Sequence, residues 1–369
     1  MSTSYGKNLK ISIYGASHGE EIGVTASGLP HGFAFDLDEL SKFMKRRAPG
    51  NNKLSTPRKE ADAPIFKSGV KLIEGNRGII LDEEFHAAIK NTSQRSSDYS
   101  NLSFVPRPSH ADFSARMKYG ENVDLRGGGH FSGRLTAPMC IVGGICLQYL
   151  KSRGINIAAH LYSIGGIKDI PFDTANVGTR EFKILTERTD FPVLDMEQGE
   201  KMKECIENAR QNGDSVGGII ECAVLGLPAG LGEHMFDGVE NRISSIIFGI
   251  PAVKGIEFGN GFECASLLGS QNNDAFCTDG KSIYTKTNNC GGILGGMTNG
   301  MPLTFTAAFK PTPSIALEQD SVSLKEKKNV KLSIKGRHDP CIIPRAVPVI
   351  QAAAAIALTD MLLDKKETE

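Results

Sequence analysis

The chain has 369 residues, 40% of them hydrophobic, and its 42 basic and 42 acidic side chains leave no net charge. That length is ample to bury a large core, and the charge balance argues against a general binder of nucleic acid or of membrane surfaces. Any affinity for an anion has to come from local clustering of basic residues.

The opening MSTSYGKNLKISIYG has no apolar block after its charges, so it does not read as a secretion signal. KISIYG (10–15) and GVTASG (23–28) alternate as strands. From Asp36, DLDELSKFMKRR puts Leu37, Leu40, Phe43 and Met44 on one helical face, with Asp36 as N-cap, Glu39 three residues on, and Pro49-Gly50 as the stop. Its cations Lys42, Lys45, Arg46 and Arg47 gather toward the C-terminal end, where the helix dipole tolerates them.

Residues 91–133 are rich in Ser, Pro, Gly, His, Arg and Asp and show little periodicity. Loops of this length inside compact domains are usually functional or disordered. Helices are expected near 134–152, 196–212, 238–248 and 345–364, and strands near 155–162, 217–226 and 302–309. SLKEKKNVK (323–331) reads as a solvated loop or hairpin, and the longest apolar run, AAAAIAL (352–358), is too short to span a bilayer.

GLPHG (28–32) and GLPAG (226–230) each follow a strand-like run and precede a helix, which hints at two similar halves. No Pro/Ser-rich linker divides them, so the whole of 1–369 is read as one domain of mixed α and β structure. The eight cysteines are scattered without a C-x-x-C pair, several in apolar stretches such as PMCIVGGICL. They read as reduced thiols of a cytosolic protein, with no disulfide framework and no zinc site.

The chemistry-bearing residues gather in short segments. YGASHGEE (14–21) sets Ser17-His18 between glycines, and PRPSHADFSARMKYG (106–120) holds Arg107, His110, Asp112 and Lys118. DLRGGGHFSGRLT (124–136) flanks three glycines with arginines. NNCGGILGGMTNG (288–300), FKPTPS (309–314) and KGRHDPCIIPRAVP (335–348) complete the set. Glycine runs let backbone N–H groups approach an anion, histidines move protons near neutral pH, and arginines grip phosphate and carboxylate. Taken singly, each has a plain alternative: a satisfied turn histidine, a tight turn, a structural salt bridge. Together they suggest a site for a small, multiply anionic ligand with acid–base work to do.

In chain order, GASHG (15–19), RSSDY (95–99), HAD (110–112), KYG (118–120), DLRGGG (124–129), PAGLGE (228–233), GGILGG (291–296), FKPTPSIA (309–316) and GRHDPCIIPRAVP (336–348) resemble the chorismate synthase family along nearly the whole chain. The resemblance implies an α+β fold, a β–α–β sandwich with helices between two antiparallel sheets and two similar halves, assembled as a cytoplasmic homotetramer. It implies a carbon–oxygen lyase acting on phosphates, which makes chorismate from 5-enolpyruvylshikimate 3-phosphate by 1,4-anti elimination in the last step of the shikimate pathway. Reduced FMN is required although the reaction has no net redox change. The reductant is either NADPH or a separate flavin reductase, and no nucleic acid, membrane or metal partner is implied.

By the same resemblance, His18 protonates the departing phosphate with Ser17 beside it, His110 faces flavin N1 and O2, and Asp339 is the base that works with flavin N5. Arg47, Lys53, Arg107, Arg134 and Arg337 match substrate-binding positions, Arg47 also a position associated with NADPH. Ser132, Ala252, Gly291, Lys310, Pro311, Thr312, Pro313, Ser314 and Arg337 match flavin contacts. Loops 91–133 and 312–333 are expected to belong to the active site or to order with ligand.

The chain departs from the family pattern at Ala16, Ala48, Lys53, Ser109, Phe113, His130, Phe131, Gly133, Leu135, Pro251 and Thr306. These changes leave the acid–base residues intact, which implies a working variant with an altered flavin pocket. The alternative is a non-catalytic paralogue that binds flavin or a phosphorylated metabolite.

Overall fold

The computed structural model describes residues 3–50, 60–92, 104–334 and 339–364. Its helices are α1 (Leu37–Arg47), α2 (Asp112–Tyr119), α3 (Thr136–Lys151), α4 (Thr179–Glu187), α5 (Met196–Gln211), α6 (Val239–Phe248), the single turn α7 (Gly269–Asn272) and α8 (Ile343–Leu362). α1 starts where its cap requires: the Asp36 carboxylate accepts from the Glu39 N–H at 2.8 Å. Glu39 does not close the capping box; its carboxylate pairs with Lys151 at 3.1 Å.

Two five-stranded antiparallel sheets enclose the long helices. The first runs Ser4–Tyr5, Lys10–Gly15, Glu21–Ser27, Glu84–Lys90, Ile65–Ser68; the second runs Ile167–Lys168, Asn156–Ile164, Gly218–Leu225, Leu303–Phe309, Val253–Phe258. α3 lies on the first sheet and α8 on the second, and α3 and α8 pack against each other along their lengths. The result is the expected sandwich, helices between two antiparallel sheets. One continuous apolar core runs from Leu9 to Met361 through both sheets and the helices between them.

The glycine pair of PMCIVGGICL explains how the helices come so close. A Cβ at Gly143 would lie 2.3 Å from that of Ala352 on α8, and one at Gly144 would lie 2.5 Å from Leu40 Cδ1 on α1. Small residues on both faces of the α3–α8 contact remove the bulk that would hold the axes apart. α8 is apolar over 20 residues, longer than the run legible in the sequence, and by length and composition it meets the criterion for a membrane span; nearly all of it is buried in the core. Its Asp360 pins the N-terminal segment by accepting from the backbone N–H groups of Lys7, Asn8 and Leu9 at 3.1, 2.7 and 2.9 Å. The same carboxylate pairs with Arg242 of α6.

The sequence reading missed the strands between 65 and 90, the Val253–Phe258 strand, α2 and α4. Ile65–Ser68 is mostly exposed, and α2 buries only Asp112 and Ala115, so neither carries an apolar period. The charged stretch 323–331 falls in the hairpin Gln319–Ser323/Lys328–Leu332.

Candidate active site

The Lys10–Gly15 strand ends in a turn closed by the Gly19 N–H donating to the Ala16 carbonyl at 3.0 Å. This turn docks on a second turn, Arg126–Phe131, through the Ser17 N–H on the Gly129 carbonyl at 3.3 Å. Ser17, fully buried, lies 3.1 Å from the Arg126 carbonyl, 3.0 Å from the Gly127 carbonyl and 3.1 Å from His18 Nδ1. A hydroxyl has one proton to give. When a carbonyl takes it, Ser17 Oγ accepts from His18 Nδ1–H, and a charged His18 then carries its transferable proton on Nε2.

Gly127, Gly128 and Gly129 all sit at positive φ (57°, 89° and 53°). A Cβ on Gly127 would lie 2.2 Å from His18 Cε1, and one on Gly128 would lie 3.5 Å from His110 Nε2. The glycine turn therefore touches both histidines, and at 127 a side chain would collide with His18.

Beside it lies a cavity of about 650 Å³. Arg47, Arg107, His110, Ser132, Arg134, Ala252, Lys310, Thr312, Pro313, Ser314 and Asp339 all line it. Among the other residues singled out in the sequence, Ser17 and His18 are not lining residues but adjoin Gly127, which is. Pro311 is not a lining residue. Neither is Gly291, whose backbone packs on Gly259 and whose carbonyl accepts from Thr304 N–H at 3.1 Å, a turn beside the second sheet. Lys53 and Arg337 lie outside the described residues.

The cations do not stand alone. Arg47 Nη1 donates to Asp62 Oδ2 at 2.7 Å, Nη2 to the Gly133 carbonyl at 2.8 Å and Nε to Thr136 Oγ1 at 3.2 Å. Arg134 Nη1 bonds the other Asp62 oxygen, and Arg134 Nε meets Asn91 Oδ1 at 3.2 Å and Glu60 Oε2 at 3.1 Å. Burial alone would raise the Asp62 carboxyl, but the charges of Arg47 and Arg134 and their hydrogen bonds hold it below the usual carboxylate range. Arg345 completes the chain: its Nη1 donates to Asp339 at 2.6 Å and its Nε to the Arg47 carbonyl at 3.1 Å.

The second wall is organised by Asp112. Arg107 grips it with Nε at 2.7 Å and Nη2 at 2.8 Å, and His110 Nδ1 meets the same carboxylate at 2.7 Å. Burial pushes the Asp112 carboxyl up, and the bonds from Arg107 and His110 outweigh it, leaving the group well below its ordinary range. His110 Nδ1 also lies 3.1 Å from Arg107 Nη2; when Nδ1 carries the proton and gives it to the closer carboxylate, a neutral His110 offers Nε2 as an acceptor. Arg107 Nη1 also reaches Ser314 Oγ at 3.2 Å, tying the HAD segment to the KPTPS segment 207 residues away.

Glu60, Asp62, Lys254 and Arg345 belong to this constellation and were not identified from the sequence; Asp112 was noted without a role. Arg345 sits inside PRAVP and Asp112 two residues after His110, so both lay within segments already singled out. Glu60 and Asp62 carry no local signal, since only the fold brings them to the arginines.

A chorismate synthase family model matches residues 9–363. Chorismate synthase of Lancefieldella parvula is 45% identical over 98% of this chain and 96% of its own length, and that of Thermococcus kodakarensis is 43% identical over 99% and 98%. A chorismate synthase crystal structure superposes with a TM-score of 0.74 at 26% identity, covering 98% of this chain and 94% of its own. The chain belongs to the chorismate synthase family. That membership makes it an enzyme, a lyase of the shikimate pathway, as the motifs implied.

The residues present fit the reduced flavin associated with chorismate synthases. The cavity lies within the usual size of small-ligand sites, roughly 300–1,000 Å³, and Ile250, Val253, Phe309, Ile342 and Val349 give it an apolar face suited to a planar ring. Two buried polar atoms on lining residues, Thr312 Oγ1 and Arg134 Nη2, have no hydrogen-bond partner among the described residues, as expected of groups kept for a ligand. The departures His130, Phe131 and Pro251 line the same cavity, and the Phe131 ring packs 6.3 Å from that of Tyr119.

Proposed function

We propose that this cavity carries out the 1,4-anti elimination of phosphate from 5-enolpyruvylshikimate 3-phosphate, giving chorismate. The observation that carries the reading is the charge of the walls. Six cations line the cavity: Arg47, Arg107, Arg134, Lys254, Lys310 and Arg345. Among the described residues, the carboxylates that pair with them are four: Glu60, Asp62, Asp112 and Asp339. The positive excess suits a substrate bearing a phosphate and two carboxylates, and desolvation inside a cavity strengthens that attraction.

His18 gives its proton to the phosphate as the C–O bond breaks, with Ser17 orienting the ring from Nδ1. Asp339, held by Arg345, takes the proton that leaves carbon. Arg47, Arg107 and Arg134, with Arg337, bind the anionic groups. His110 and the lining residues Ser132, Ala252, Lys310, Thr312, Pro313 and Ser314 would hold the cofactor, with Pro311 and Gly291 in support. Reduced FMN, when bound, supplies the transient electron that the C–O cleavage needs.

We further infer that the chain acts as one domain in a cytoplasmic homotetramer, with its flavin reduced by NADPH at the Arg47 side or by a separate reductase. The continuous core supports the first point. The large apolar side chains left exposed on one stretch, Phe236 at 82% and Phe262 at 83%, support the association.

The test is an anaerobic assay with 5-enolpyruvylshikimate 3-phosphate, following chorismate absorbance and phosphate release with chemically reduced FMN, oxidised FMN, or oxidised FMN plus NADPH. Turnover with pre-reduced FMN is expected; turnover in the third arm would add a reductase activity. A folded protein silent in all three arms would refute the assignment.

A further inference from the structure

Two buried guanidiniums of the cavity, Arg47 and Arg134, share the counter-ion Asp62. Asp62 is 1% exposed, and its two oxygens bond Arg47 Nη1 and Arg134 Nη1. Its backbone is at φ 48°, a left-handed conformation that few non-glycine residues adopt and that Asp and Asn tolerate best. Arg47 is braced again by Gly133 O and Thr136 Oγ1, whereas Arg134 Nη2 is buried with no partner among the described residues. Two like charges held together in a low-dielectric site would otherwise repel. One carboxylate between them reduces that repulsion, Glu60 at Arg134 Nε balances the second charge, and Arg134 Nη2 keeps N–H groups to spare.

We propose that Asp62 is the positioning residue of this site: one buried carboxylate holds Arg47 and Arg134 side by side, so that their remaining N–H groups form a prebuilt seat for one anionic group of the substrate. The proposal rests on the reading of the cavity as the substrate site. Asp62 itself never touches the ligand. Its left-handed backbone directs one side chain to both arginines, an outlier of the kind that clusters at functional sites. Asn at this position would keep the backbone and the shape but turn an NH₂ toward one guanidinium, releasing it; Gly would keep the backbone and release both.

The test uses Asp62→Asn and Asp62→Gly in the full chain. Thermal unfolding is followed alongside kcat and KM with reduced FMN, and inorganic phosphate affinity is measured by calorimetry. Misplacement of one anion-binding group by about an ångström costs on the order of 100-fold in rate. We expect kcat to fall by about that factor in Asp62→Asn and further in Asp62→Gly. Phosphate binding should hold or tighten, because the site loses a negative charge. A kcat that stays near wild type, or phosphate affinity that falls in step with kcat, would overturn the proposal.

If neither variant folds, Thr136→Val, which removes the Arg47 Nε bond together with the hydroxyl's own bond to the Gly133 carbonyl, carries the test: a smaller drop in kcat with phosphate binding kept supports the seat, and no change refutes it. Arg47→Gln and Arg134→Gln separate the two claims. Should the wild-type chain bind phosphate in a manner both substitutions abolish yet never turn over, the reaction assignment fails and the seat stands. Phosphate binding indifferent to both would sink the seat alone.

Discussion

Gly127 and His18 are in contact so close that a Cβ on the glycine would lie 2.2 Å from Cε1 of the imidazole and 2.7 Å from Ser17 Oγ. Gly127→Ala therefore meets two obstacles at once. A left-handed backbone costs a side-chain-bearing residue about 1–2 kcal/mol, and the clash is with the proposed proton donor itself. The expected outcome is a folded protein with turnover down by about 100-fold or more, seen as loss of chorismate formation at saturating substrate. Wild-type rates in this variant would mean that the His18 ring need not rest against the glycine turn.

His18 itself should separate chemistry from binding. Losing a positioned general acid costs roughly 10²–10⁴-fold, so His18→Gln should slow single-turnover phosphate release by that range while leaving substrate affinity within a few-fold. Ser17→Ala should lose less, because the serine only orients Nδ1. An unimpaired His18→Gln would move the acid elsewhere.

Arg345 connects the candidate base to Arg47, a candidate substrate arginine. It holds Asp339 at 2.6 Å and the Arg47 carbonyl at 3.1 Å. Arg345→Met removes both ties and leaves a carboxylate in the cavity without this partner, which should lower kcat by about 100-fold. Arg345→Lys restores one charge but lacks the planar fork that reaches both groups, so partial recovery is expected. Equal rates for the Met and Lys variants would show that charge at 345 does not matter.

Much of this site was legible because its residues sit in short, unusual segments. Ser17-His18 between glycines, His110 with Asp112, and Asp339 between charged and proline residues can be read one-dimensionally. α1 was equally plain, since Asp36, its apolar face and Pro49-Gly50 all mark the same boundaries. Asp62 was hidden for the opposite reason: its arginine partners among the described residues lie 15 and 72 residues away. The strands between 65 and 90 were obscured by exposure, as Ile65 is 43% and Leu72 58% exposed, so polar and apolar residues do not alternate there. Gly291 matches a flavin position in the family motif, yet in the single chain its contacts are those of a turn on Gly259.

A second buried constellation should control stability rather than catalysis. His160, fully buried, donates from Nδ1 to Asp169 at 2.9 Å and from Nε2 to Glu221 at 2.7 Å. Asp169 also accepts from the backbone N–H groups of Leu194 and Asp195, and Glu221 from that of Phe172. The imidazolium thus clamps the 169–195 segment onto the second sheet. Burial by itself would depress His160, but the two carboxylates outweigh it and the group is raised above its ordinary value near 6.5. A raised folded-state value means that the clamp contributes fully below about pH 6.5 and that its contribution is lost as pH climbs through the folded value. Five cysteines, Cys140, Cys146, Cys222, Cys290 and Cys341, are also pushed up by burial. Their unfolded thiols begin to ionise above about pH 8 and would add a loss of the same sign. Urea unfolding should therefore be compared between pH 6 and 8, where wild-type stability is expected to decline. His160→Gln should be less stable by about 3–5 kcal/mol at pH 6, since it leaves two buried carboxylates without their cation. It should also lack the wild-type decline with pH, while hydrogen exchange rises across 169–195. A variant that kept both the wild-type stability at pH 6 and its slope would show that the histidine is neutral in the folded protein.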